Sequence, residues 1–200
     1  VIALYRNRKV LPVNGSTIIE IGDDLFFLAT EENMRFMSEL SKNQSRIENI
    51  MIAGGGIVGM TLAAKLSQKF STKIIEKDLT RSKYLSESLE DTVVLNDDIS
   101  DESLLDNEGI EEVDYFCSVT NDDQMNILSA KLAKDLGAKK SIAIINKLSY
   151  RKLVSKEIDV VVSPEDVTIG SILASVRTSD VVKVHSLGFG EAELLEIIIH

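Results

Sequence analysis

The chain has 200 residues, 44% hydrophobic and 27% charged, enough for one or two domains with a buried core and too apolar for wholesale disorder. Its 22 Lys and Arg stand against 32 Asp and Glu, and the net charge of -10 argues against nucleic acid and against an anionic membrane surface as partners. One cysteine excludes an intrachain disulfide framework and a cysteine-clustered metal site, and fits a reducing compartment.

The first stretch, residues 1–40, is β-rich in pattern. Residues 1–5 form a short apolar strand, and Leu11-Pro12-Val13-Asn14-Gly15 marks a strand end and a turn. Residues 17–21 are β-branched, Gly22-Asp23 is a second turn, residues 25–29 are another strand, and 31–40 is an expected helix. Residues 41–48 are polar, lack a period and suggest a linker. From residue 49 short apolar strands alternate with helical stretches. The expected strands are 50–53, 73–76, 92–95, 113–119, 141–145 and 160–163. The expected helices are 58–69, 80–89, 101–107, 123–136 and 148–156. Such alternation implies an α/β fold, a doubly wound parallel sheet covered on both faces. A helix over 169–177 follows, then a hairpin from 181–185 and 194–199. The chain opens on strand-like residues and stops after an apolar run, so it is expected to be a slice of a longer protein. The fragments at its two ends then belong to small β-rich lobes flanking the sheet. No apolar run nears the ~20 residues of a spanning helix, so direct membrane insertion is not expected.

The strongest chemical signal is Gly54-Gly55-Gly56-Ile57-Val58-Gly59, placed between a strand and a helix. Gly54, Gly56 and Gly59 have the G-x-G-x-x-G spacing of a Rossmann-like nucleotide turn. The first glycine permits the tight turn, the second admits a pyrophosphate, and the third lets helix and strand close up. Ile57 and Val58 open the helix, whose free N–H groups and dipole face the phosphates. Glu76 ends the second strand, 20 residues past Gly56, where an acid accepts from adenosine ribose hydroxyls and repels a 2′-phosphate. NAD(H) or another unphosphorylated adenosine is therefore favoured over NADP(H). The bland alternative is a glycine-rich turn that binds nothing.

Ligands in such sheets lie beyond the carboxyl ends of the strands. The residues there are Asn96, Asp97 and Asp98, then Thr120, Asn121 and Asp122, then Asn146. Asp98 and Thr120 are candidates for base, ribose or phosphate contact, with helix capping the competing explanation. Ser100 before Asp101-Glu102 and Asn121 before Asp122-Asp123 suit N-caps. The acids lie in helix first turns without histidine, so no metal site is expected. Cys117 is expected to be a buried apolar residue and His185 an exposed one. Catalytic residues are not expected. The two histidines, His185 and His200, fall outside the sheet unit, the Tyr5-x-x-x-Lys9 pair precedes the glycine motif, and no Walker lysine is present. A chain able to bind a nucleotide but lacking means to react it suggests a sensor. The alternatives are the cofactor domain of an NAD-dependent oxidoreductase with its catalytic part elsewhere, and an adapter with a vestigial site.

Several segments in order, Ile50–Gly59, Ile74-Ile75-Glu76-Lys77, Asp98-Ile99-Ser100-Asp101, Val119-Thr120-Asn121-Asp122-Asp123, residues 133–140 and Val162-Ser163-Pro164-Glu165, resemble the domains that regulate potassium conductance (RCK, also called KTN), in particular those of Trk potassium uptake. The resemblance covers nearly the whole chain. It implies that 1–42 ends a first C-terminal lobe, 49–165 is a nucleotide-binding domain, 166–180 is a crossover or linker helix, and 181–200 starts a second lobe. It implies a regulatory subunit without enzymatic activity that binds NAD(H), or ATP/ADP, through Gly54, Gly56, Gly59, Glu76, Asp98 and Thr120. It further implies a homo-oligomer, a dimer or tetrameric ring, on the cytoplasmic face of a Trk-type potassium-translocating membrane subunit. One departure stands out: many members carry Gly-Asp where this chain has Asp97-Asp98.

Overall fold

A computed structural model of the chain describes residues 1–6, 9–27, 29–30, 33, 47–154, 157–176, 181–187 and 192–197. The chain divides into two units, one of residues 46–165 and one that combines 1–45 with 166–200.

The central unit holds six parallel strands: β4 (Asn49–Ala53), β5 (Ser71–Ile75), β6 (Thr92–Leu95), β7 (Tyr115–Ser118), β8 (Lys140–Ile144) and β9 (Val160–Val162). Their order across the sheet is β6-β5-β4-β7-β8-β9. The chain winds outward from β4 in one direction and then from β7 in the other. That reversal opens a crevice at the carboxyl ends of β4 and β7, the place where doubly wound sheets bind ligands. The helices between the strands are α1 (Ile57–Leu66), α2 (Leu79–Ser88), α3 (Glu102–Asn107), α4 (Asp123–Asp135) and α5 (Leu148–Val154).

Both faces of the sheet are buried, which explains the continuous apolar strands. On β4, Met51 and Ala53 pack with Phe116, Leu105 and Ala133, while Ile50 and Ile52 pack on the other face with Ala63, Leu85 and Cys117. Buried Asp114 fastens the opposite end of the sheet. Its Oδ2 accepts from the N–H of Glu48 at 2.7 Å and of Asn49 at 2.9 Å, and its Oδ1 from Lys139 Nζ at 2.7 Å. Burial pushes the Asp114 carboxyl up, but those bonds and the Lys139 charge outweigh it and hold it below the ordinary range.

The second unit contains a three-stranded antiparallel sheet, β1 (Ala3–Arg6), β2 (Lys9–Leu11) and β3 (Asp24–Phe26), in the order β2-β1-β3. It also contains the hairpin of β10 (Val181–Leu187) and β11 (Ala192–Ile197). Residues 17–21, expected as a strand, form none. Their backbone groups are taken by side chains instead: Arg6 Nη2 donates to the Ile18 carbonyl at 2.8 Å, and the Glu20 N–H donates to Asp23 Oδ2 at 2.8 Å. The expected helix over 31–40 lies outside the described residues apart from residue 33. Helix α6 (Pro164–Val176) starts five residues before its expected position, directly after β9. Proline suits the first helical position, where its missing N–H costs nothing.

Candidate functional site

The glycine turn follows β4 directly. Gly54 has φ +105°, and a Cβ there would stand 3.0 Å from three atoms of Thr120. Its N–H donates to the Ile75 carbonyl at 2.9 Å. A Cβ on Gly59 would collide with the Gly54 carbonyl. One on Gly55 would collide with Leu85 and come within 2.8 Å of Glu76 Oε2. These three glycines are required by the fold itself. Gly56 is different: its φ of -63° suits any residue, and a Cβ would meet nothing within 4 Å. Nothing among the described residues explains why position 56 lacks a side chain. It borders open space at the N-terminus of α1, where no side chain caps the helix.

That space is a cavity of about 520 Å³, within the ~300–1,000 Å³ of small-molecule sites. Gly54, Gly56, Ile57, Val58, Glu76, Asp98 and Thr120 all line it. Gly59 does not. It is buried beneath the turn and acts by packing. The cavity follows the carboxyl ends of the strands, with Asp97 and Asp98 beyond β6, Glu76 and Lys77 beyond β5, and Thr120 and Asn121 beyond β7.

Glu76 stands one residue past β5 rather than within it. Its Oε2 accepts from the Gly55 N–H and its Oε1 from the Asp78 N–H, both at 2.8 Å. Each oxygen keeps a further lone pair, so the carboxylate is oriented and can still accept from a ribose diol. Asp98 is held in the same way: its Oδ1 accepts from the Ser100 N–H at 2.9 Å and the Ser100 hydroxyl at 2.7 Å. Those bonds, with Lys77 nearby, hold its carboxyl below the usual range against the opposing effect of burial. Asp97 Oδ1 accepts from the Asp98 N–H at 2.8 Å.

Thr120 is positioned by a residue the sequence reading missed. Buried Asn126, on α4, accepts at Oδ1 from the Thr120 N–H at 2.8 Å and the Thr120 hydroxyl at 2.6 Å. Its Nδ2 donates to the carbonyls of Thr120 at 3.0 Å and Ile144 at 2.9 Å, tying the ends of β7 and β8 together. A polar residue on the inward face of a helix was the available signal. Buried Asp123 works similarly. Its Oδ1 accepts from Asn146 N at 3.0 Å and Nδ2 at 2.9 Å, and its Oδ2 from Lys147 N at 2.8 Å. Asn146 is thus spent on structure and does not line the cavity.

The capping residues are one position later than expected. Asp101, not Ser100, caps α3 by accepting from the Ser103 N–H, and Asp122, not Asn121, caps α4 by accepting from Gln124 and Met125. This leaves Asn121 lining the cavity. Cys117 is buried and its thiol is pushed up to about 11 by burial, as an inert apolar residue requires. Among the described residues no group of His, Cys, Asp and Glu is arranged to hold a metal.

Residues 50–164 match the TrkA-N domain family. The chain belongs to that family. The TrkA protein of Trk potassium uptake from Halomonas elongata is 45% identical, over all of this chain and 44% of that protein. The chain spans less than half the length of the curated relatives it matches. This TrkA-N domain chain also has the fold of solved RCK structures. The GsuK RCK domain superposes with a TM-score of 0.64 at 22% identity, over 90% of this chain and 39% of that one. The GsuK channel bound to NAD superposes at 0.57 and 17% identity, over 79% of this chain and 30% of that one.

Proposed function

We propose that this TrkA-N chain is a nucleotide-sensing regulatory part of a potassium uptake system. It binds NAD(H) in the glycine-turn cavity, with ATP/ADP as the alternative ligand, and does not turn it over. The observation that carries this reading is Gly56, whose missing side chain serves no contact among the described residues. The N–H groups of Gly56, Ile57 and Val58 receive the phosphates, Glu76 accepts from the ribose hydroxyls, and Asp97 and Asp98 flank the base. The negative Glu76 carboxylate disfavours a 2′-phosphate. The other half of a dinucleotide extends toward Thr120 and Asn121. Among the described residues that line the cavity, the groups able to exchange a proton, Glu76, Lys77, Asp97 and Asp98, lie beyond β5 and β6 at the proposed adenosine end, and none lies beyond β7 where the other half of a dinucleotide extends, which disfavours the oxidoreductase alternative.

The relatives named for Trk potassium uptake support a Trk-type membrane subunit as partner, with this chain at its cytoplasmic face. No described helix is long and apolar enough to cross a membrane. The proposed assembly is a homo-oligomer, a dimer or tetrameric ring. Residues 1–42 end one lobe, 49–165 bind the nucleotide, 166–180 link onward, and 181–200 begin the next lobe. A ligand shifts such an assembly only by binding one of its conformations more tightly.

Calorimetric titration with NADH, NAD⁺, ATP and ADP tests the reading. Saturable binding of at least one, lost in a folded Gly56→Asp variant, is the expected result. Binding of none, or binding indifferent to Gly56→Asp, overturns it.

A further inference from the structure

Arg81, in the first turn of α2, does not line the cavity, yet it reaches the glycine turn. Its Nε donates to the Gly55 carbonyl at 2.6 Å. The Gly55 N–H donates to Glu76 Oε2 at 2.8 Å, the Asp78 N–H to Glu76 Oε1 at 2.8 Å, and the Arg81 N–H to Asp78 Oδ1 at 2.7 Å. These bonds close a ring through Gly55, Glu76, Asp78 and Arg81. The guanidinium is further held by Tyr84, whose ring centre is 5.0 Å away, and by Met60 Sδ at 3.6 Å from Nη2.

The Gly55–Gly56 peptide lies between two glycines, the residue type that resists rotation of a peptide plane least. The bond is trans, so the Gly55 carbonyl and the Gly56 N–H point in opposite directions. A plane rotated by half a turn would present the carbonyl oxygen, rather than the N–H, to an anion. We propose that Arg81 is a positioning residue for the phosphate end of the cavity. By holding the Gly55 carbonyl it keeps the Gly56 N–H turned toward the ligand. The proposal rests on the cavity being a nucleotide site. It assigns Arg81 an effect on phosphate and none on the nucleoside.

The whole 200-residue chain is titrated with ADP and with adenosine, followed by amide NMR shifts, as wild type, Arg81→Met and Arg81→Gln. Glutamine places a neutral N–H donor at the same bond distance from Cα as arginine Nε. Arg81→Met is expected to weaken ADP about tenfold, the effect of one charge-assisted hydrogen bond, and to leave adenosine within about twofold. Arg81→Gln is expected to stay within about threefold of wild type for both, because the donor remains. Equal weakening of ADP and adenosine in Arg81→Met means a purely structural role and overturns the proposal. So does Arg81→Gln as weak as Arg81→Met, which would mean simple charge attraction, and so does an Arg81→Met that binds ADP like wild type. If wild type binds neither ADP nor adenosine, while NAD(H) and ATP also fail, the nucleotide reading itself falls and this proposal with it.

Discussion

Four glycines in six positions serve different ends, and the difference can be measured. Gly59→Ala drives a methyl group into the Gly54 carbonyl and is expected to cost about 3 kcal/mol in urea unfolding, the upper range of overpacking. Gly56→Ala meets only open space with an ordinary φ and is expected to change stability by less than about 0.5 kcal/mol while weakening nucleotide binding. The G-x-G-x-x-G spacing was legible in the sequence and already assigned Gly54 to the turn, Gly56 to the ligand side and Gly59 to packing, but it could not show that a Cβ at Gly56 would meet open space. Nor could it reveal Gly55, whose small size answers to Leu85 and Glu76, residues brought to it only by the packing of α2. Arg81 and Asn126 were hidden for the same reason. Their partners are 26 and 6 positions away along the chain and become neighbours through the fold.

At the scale of the element, the alternation of strands and helices from residue 49 onward was legible throughout, because the strands are apolar on both sides and α1 to α4 open with a capping acid or glycine. The errors were local. Ser and Asn looked like caps where an Asp one residue later took the role. Residues 17–21 had β-branched composition but gave their backbone groups to Arg6 and Asp23. That clasp also lowers the Asp23 carboxyl to about 2, chiefly through the hydrogen bond from Arg6. Two further outcomes belong here. Asp122→Ala removes the α4 cap and is expected to cost about 1 kcal/mol by thermal or urea unfolding. Asn126→Ala leaves the Thr120 N–H and the Ile144 carbonyl without their partner and is expected to cost about 2–3 kcal/mol.

For the whole molecule, three hydrogen-bonded carboxylates set the acid limit, the buried Asp114 and Asp123 and the more exposed Asp159. Burial raises Asp114, Asp123 and Asp159, but hydrogen bonds and the neighbouring Lys139, Lys147 and Lys134 outweigh it, so all three are depressed. The unfolded chain takes up these protons first, near the free value of ~3.9. Their stabilisation is therefore full above that value and is lost as pH falls toward the lower folded values. The urea midpoint is expected to fall steeply below about pH 4, and Asp114→Asn to flatten that fall. Because every described residue lining the cavity lies within residues 46–165, that unit alone is expected to fold and to bind nucleotide as the whole chain does, which calorimetry on the two forms compares.

The open space beside Gly56 has a consequence for descent. A side chain at that position costs folding nothing, so a lineage that stopped using the ligand would lose this glycine by drift while keeping Gly54, Gly55 and Gly59 under selection for folding alone. Among sequences sharing this turn, the residue at position 56 therefore separates living sites from relics before any protein is purified.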